Sequence, residues 1–104
     1  MRRNLFGAAA LCAMAWAAPA SAQLSDNVVK IGVATDLSSL YADINGPGAV
    51  SAVQMAIEDF GGSVLGQKIE MVSSDIQNKA DVAATVAGRW FDAEKVDALL
   101  NELK

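Results

Sequence analysis

Histidine is absent from these 104 residues, and cysteine occurs once. Without an imidazole there is no histidine general base, no Ser-His-Asp triad and no histidine-bound metal. Positive charge is also scarce, with eight Lys and Arg against twelve Asp and Glu and a net charge of −4. Nucleic acid demands a basic patch, so the balance argues against that class of partner, and against anionic lipid surfaces. The phosphate-binding pattern G-x-x-x-x-G-K-[ST] occurs nowhere. Internal repeats, low-complexity tracts and interdomain linkers are missing too.

What is present begins with an address. Arg2 and Arg3 precede an apolar run from Leu5 to Ala18, followed by Pro19 and then Ala20-Ser21-Ala22. A basic start, a short apolar middle and an A-x-A exit are the parts of a secretory signal peptide. The run is about 14 residues, short of the roughly 20 that span a bilayer. Cleavage is expected after Ala22. The arginine pair also resembles a twin-arginine signal, but the strongly apolar middle fits the general secretory route better.

Cys12 sits too early for a lipoprotein anchor, and Leu11 precedes it where a small residue is needed. It leaves with the leader, so the mature chain has no thiol for disulfides, thiolate chemistry or metal. Removal of 22 residues leaves 82, and the loss of Arg2 and Arg3 takes the net charge to −6. An exported product with neither span nor lipid anchor fits a bacterial periplasm. Eighty-odd residues bury only a marginal core.

The mature chain reads as β-α-β-α-β. Val28–Ala34 is β-branched and mostly apolar, as in a strand covered on both faces. Thr35–Asn45 is loop. From Pro47 to Phe60, Val50, Val53, Ile57 and Phe60 recur at helical spacing, with Pro47 in the first turn and Gly61-Gly62 as a left-handed stop. Lys68–Ser74 is a second strand. Asn78, with Asp81 three residues on, is a candidate cap for a helix over Ala80–Asp92. In that helix Val82, Val86 and Trp90 share a face. A third strand is expected from Lys95 to Leu100. Alternation with short connections predicts a parallel sheet. Two helices cannot cover both faces of a sheet with two open edges, so the pattern predicts half of a doubly wound α/β lobe, cut short. The alternative is a complete miniature domain with a four-residue helical tail.

The loop Thr35–Gly48 carries the most chemistry. It lies beyond the carboxyl end of the first strand, where α/β sheets present their ligand crevice. It holds Gly46-Pro47-Gly48 but no G-x-G-x-x-G, so phosphate cradling is disfavoured. Asp36, Asp43 and Asn45 lack the spacing of a calcium loop. Asp36 and Asp75, each at a strand end, are candidates for acid–base work; capping of backbone N–H groups is the favoured reading. Ser38, Ser39 and Tyr41 offer hydroxyls and an apolar ring, a suitable wall for a small polar solute. Trp90 is assigned to the core.

The stretch Val29–Asp43, then Gly46-Pro47-Gly48, Ala56–Gly62, Val64–Glu70, Asp75–Val82, Trp90-Phe91 and Val96-Asp97-Ala98 resembles the branched-chain amino-acid type of periplasmic solute-binding protein. These are the leucine-binding-protein-like receptors of ABC importers, with a type I periplasmic binding protein fold. The resemblance covers nearly all of the mature chain. It implies two α/β lobes that close on a solute and dock on a membrane permease, with no enzymatic step, cofactor or metal.

Residues 23–104 then correspond to the amino-terminal portion of the first lobe. Ser38 and Tyr41 are implied as cleft residues, with the loop containing Gln77 nearby. Ser39 stands where the family usually has glycine and is a lesser candidate. The solute class implied is an amino acid, an amide or an aromatic acid. Family members run several times longer, and Asn101–Lys104 does not resemble their continuation. A truncated fragment that binds weakly alone is therefore expected, against the alternatives of a small exported interaction domain or a non-functional gene fragment.

Overall fold

The computed structural model describes residues 26–103; the leader expected over residues 1–22 lies outside them. The elements run β1 (Val28–Thr35), α1 (Ala42–Asn45), α2 (Pro47–Phe60), β2 (Ser63–Val64), β3 (Gln67–Asp75), α3 (Ala80–Asp92) and β4 (Ala98–Asn101). The sheet order is β2-β3-β1-β4. β1 is central and parallel to both β3 and β4, so the strand with the most continuous apolar run has a neighbour on each side. The expected β-α-β-α-β frame is present, with two additions and shifted strand ends: β1 runs on to Thr35, a residue expected in the loop, and β3 gains Gln67 and Asp75.

The first addition makes the sheet mixed. β2 pairs antiparallel with the start of β3, through the two-residue turn Leu65-Gly66. Both turn residues have positive φ, 48° and 78°, as a twisted two-residue hairpin requires. A leucine in the first position hides this turn from a search for Asn-Gly or Asp-Gly. The second addition is the single turn α1 inside the loop after β1.

The third parallel strand starts at Ala98 rather than Lys95. Lys95 is left-handed, at φ 57°, which no ladder residue adopts. Asp97 then docks on β1 twice, its N–H donating to the Lys30 carbonyl at 2.9 Å and its carboxylate accepting the Lys30 N–H at 2.8 Å. The cap of α3 also differs from expectation. Lys79 occupies the N-cap position and makes no side-chain bond to the helix. Asn78 lies one residue earlier at φ 51°, a left-handed setting that asparagine tolerates.

Alternate residues of β1 serve opposite faces. Toward α3 lie Gly32 and Ala34. A Cβ on Gly32 would stand 2.6 Å from the Trp90 ring, so the missing side chain is what lets the indole lie on the strand. Trp90, Val86, Ala83, Ile76, Val96 and Ala34 form the buried core. Toward α2 the cover is thinner. Of the stripe Val50, Val53, Ile57 and Phe60, only Ile57 is buried and Phe60 is 65 % exposed. One helix is narrower than the sheet face it lies on, and an apolar groove of about 460 Å³ remains between Val29, Ile31, Val53, Ile57, Phe60 and Leu100. α2 stops where expected: Gly61 is left-handed at φ 105°, and the N–H groups of Gly61 and Gly62 close on the carbonyls of Glu58 and Ile57.

Among the described residues no helix is long and apolar enough to cross a membrane.

Candidate functional site

The carboxyl ends of the parallel strands converge on the loop after β1. Thr35 pairs in register with Asp75, and the Thr35 carbonyl accepts the Ile76 N–H at 3.0 Å. The next residue, Asp36, is only 2 % exposed. Its carboxylate accepts four bonds: from the N–H groups of Ser38 (3.2 Å), Ser39 (2.7 Å) and Tyr41 (3.0 Å), and from the Ser39 hydroxyl (2.5 Å). The loop is therefore wound around one buried anion. A carboxylate has the lone pairs to satisfy such a turn, and a buried one must be satisfied.

Asp75 does the same work between two loops. Oδ1 accepts the N–H groups of Leu37 and Gln77, each at 2.9 Å, and Oδ2 accepts the Ser38 hydroxyl at 2.5 Å. The chain after β1 is thus tied to the chain after β3. Gln77 is exposed and left-handed at φ 52°, which turns the chain sharply away from Asp75.

Both carboxyls titrate below the ordinary aspartate range, for different reasons. Burial pushes Asp36 up, but the Ser39 hydroxyl and the N–H groups of Tyr41, Ser39 and Ser38 outweigh it. For Asp75 the Ser38 hydroxyl leads, with the Leu37 N–H, against partial burial and the like charge of Asp36. Acids held this low and this fully bonded are poor general acids or bases near neutral pH. The capping reading of Asp36 and Asp75 is the one the geometry supports.

Two further contacts close the loop. Thr35, fully buried, donates from Oγ1 to the Asn45 carbonyl at 3.2 Å. The Asn45 side-chain amide donates to Glu102 at 2.5 Å, and the Glu102 N–H donates to the Ala34 carbonyl at 3.0 Å. Gly46 lies so close beneath the loop that a Cβ there would stand 2.3 Å from the Asp36 carbonyl oxygen and 2.5 Å from that of Ala42.

Of the expected contact residues, Ser38 and Gln77 are brought together by Asp75, and Ser39 and Tyr41 by Asp36. Ser38 and Ser39 are exposed and Tyr41 is half-buried. The bridging of the two loops by Asp75 was not legible from spacing, and neither was the Asn45–Glu102 bond; both join residues far apart in the chain. Among the described residues no group of three or more His, Cys, Asp or Glu is placed to hold a metal ion. The apolar groove beside α2 lies on the sheet face, away from the strand ends, and offers no polar group to orient a polar solute.

A family model described as periplasmic binding protein matches residues 28–103. Solved structures are similar over about seven tenths of the chain. A periplasmic binding protein from Burkholderia mallei is 52 % identical over 72 % of this chain and 20 % of its own, with a TM-score of 0.70. A branched-chain amino acid ABC transporter periplasmic ligand-binding protein from Burkholderia xenovorans is 56 % identical over 69 % and 19 %, with a TM-score of 0.67. A leucine binding protein from Thermotoga maritima is 33 % identical over 72 % and 21 %, with a TM-score of 0.64. The chain spans about one fifth of the length of these structures. No curated protein matches it.

Proposed function

The chain belongs to the periplasmic binding protein family, whose members are solute-binding proteins rather than enzymes, and on that premise we propose that it forms the amino-terminal part of the first lobe of an ABC importer's solute-binding component. In this reading residues 1–22 are the export leader and the periplasm is the destination. The loop after β1 is one wall of the solute cleft. Ser38 and Tyr41 touch the solute, with Ser39 and Gln77 at its margin. The solute is an amino acid or a related small amide or aromatic acid, and the partner of the complete receptor is a membrane permease.

One observation carries the proposal. Asp36 and Asp75 together hold Ser38, Ser39, Tyr41 and Gln77 in a fixed arrangement at the carboxyl edge of the sheet. A fixed polar wall beside a ring is what small-solute recognition needs. A single wall buries much less of a solute than a closed cleft does, so affinity for a free amino acid is expected only in the millimolar range for this chain alone.

Equilibrium dialysis of the 104-residue chain against labelled leucine tests the reading. Weak binding that Tyr41→Ala and Ser38→Ala each reduce supports it. Binding that both variants leave unchanged overturns the assignment of this loop.

A further inference from the structure

We infer that Asn45 is a site of spontaneous covalent modification, deamidation through the Gly46 backbone nitrogen, and that Glu102 holds the reaction off while the fold is closed. The inference stands apart from the solute reading. It rests on the seam between the loop after β1 and the end of β4.

Asn45-Gly46 is the one Asn-Gly pair in the sequence. A glycine after asparagine leaves the next backbone nitrogen unshielded, and that nitrogen is the nucleophile that closes an imide on the side-chain amide carbon. A bulkier residue at position 46 would suppress the reaction, but the loop excludes one. Its Cβ would stand 2.3 Å from the Asp36 carbonyl oxygen and 2.5 Å from that of Ala42, far inside any tolerable packing distance. The packing that demands glycine therefore creates the lability.

The closed fold opposes the reaction at each of its atoms. The nucleophile is engaged, because the Gly46 N–H donates to the Ala42 carbonyl at 2.9 Å. The leaving nitrogen is engaged too, with Asn45 Nδ2 donating to Glu102 Oε2 at 2.5 Å. Negative charge would develop on Asn45 Oδ1, which is buried and meets no donor among the described residues. That is the reverse of an oxyanion hole, and the Glu102 carboxylate beside the same amide adds to the opposition. Glu102 is held in turn by its own N–H on the Ala34 carbonyl at 3.0 Å. Protection thus lasts only while the end of β4 stays docked.

With the clasp open, the Gly46 nitrogen loses its proton to hydroxide and bonds to Asn45 Cγ. The Cγ–Nδ2 bond breaks, and the nitrogen leaves as ammonia with a proton from water. Water then adds to either carbonyl of the imide, the C–N bond there breaks, and the ring nitrogen takes a proton back. Position 45 becomes aspartate or isoaspartate. One water is consumed and one ammonia released, with no oxidation or reduction. The product sets a carboxylate where an amide donated to Glu102. Like charges oppose there, so conversion severs the seam for good.

Incubation of the 104-residue chain at mildly alkaline pH tests the inference, read as ammonia release and as isoaspartate in the peptide spanning position 45. The chain is expected to convert at least about tenfold more slowly than a synthetic peptide of residues 41–48, the factor of one hydrogen bond to a charged group. Glu102→Ala is expected to recover most of that factor. Ile57→Ala loosens the fold from the opposite face of the sheet, leaves the clasp in place, and is expected to stay near the wild-type rate. Conversion of the wild-type chain at the peptide's rate overturns the inference. An unchanged rate in Glu102→Ala overturns it as well, and so does equal acceleration in Ile57→Ala, because global opening then explains the chemistry. Asn45→Asp reads the consequence: amide exchange at Glu102 is expected to accelerate while exchange at Trp90 holds. Retained protection at Glu102 overturns the severing of the seam.

Discussion

Ser38 and Asp75, 37 residues apart in the chain, are joined by a 2.5 Å hydrogen bond between Oγ and Oδ2. That bond couples the loop after β1 to the loop after β3, so neither can move without the other. Asp75 reaches this position because it closes the β1–β3 register opposite Thr35. Strand pairing thus fixes the site directly.

Asp36 is the centre of the loop, and its removal is expected to be costly. Asp36→Ala leaves the N–H groups of Ser38, Ser39 and Tyr41 without their acceptor. A loss of about 2–4 kcal/mol is expected, read from denaturant unfolding. Amide exchange at Ser39 and Tyr41 should accelerate well beyond exchange in α3.

Two glycines two residues apart should respond oppositely to alanine. Gly46→Ala drives a Cβ against backbone oxygens of Asp36 and Ala42 that cannot move aside cheaply, whereas a Cβ at Gly48 meets nothing within 4 Å. Overpacking of this kind costs about 1–3 kcal/mol. Gly48→Ala lies within α2 and is expected to add up to about 1 kcal/mol. Thermal midpoints of the two variants check the contrast.

Trp90 dominates the better-covered face of the sheet among the described residues. At 2 % exposed, its replacement by alanine should cost about 3–5 kcal/mol, a large share of what a domain this small can have. Phe91, next to it and 49 % exposed, should tolerate alanine with less than about 1 kcal/mol lost. Denaturant midpoints distinguish the two.

Acid should act on the loop before the helices. Asp36 and Asp75 both have folded values below the ordinary aspartate value, which is about 3.9 in an unfolded chain. A depressed acid contributes stability that is complete above the unfolded value and disappears as pH falls through the folded one. Stability from these groups is therefore expected to be level from neutrality down to about pH 5 and to decline below about pH 4. Midpoints measured across that range should lose part of this acid limb in Asp75→Asn.

The frame of the fold was legible because its signals are local. The apolar run of β1, the i, i+4, i+8 series of Val82, Val86 and Trp90, and Gly61-Gly62 after Phe60 each name an element on their own. The misplaced details are the ones that depend on partners. β2 exists only through its pairing with β3, and Leu65 in a left-handed turn carries no usual turn signature. The start of β4 is set by Lys95 and by the double contact of Asp97 with Lys30. In the site, the positions of Ser38, Ser39, Tyr41 and Gln77 at strand ends could be read from the sequence. That Asp36 and Asp75 accept backbone N–H groups could be read as well; that Asp75 reaches across to Leu37 and Ser38 could not, since it follows from the parallel register.

The loop after β1 is proposed as a solute wall, and the alternative place for a leucine side chain is the apolar groove beside α2. An amide-resonance map of the 104-residue chain at saturating leucine decides between them. A solute wall gives shifts concentrated at residues 36–41 and at Gln77, with Ile57, Phe60 and Ile69 unmoved. Shifts concentrated at Ile57, Phe60 and Ile69, or none in the loop, would contradict it.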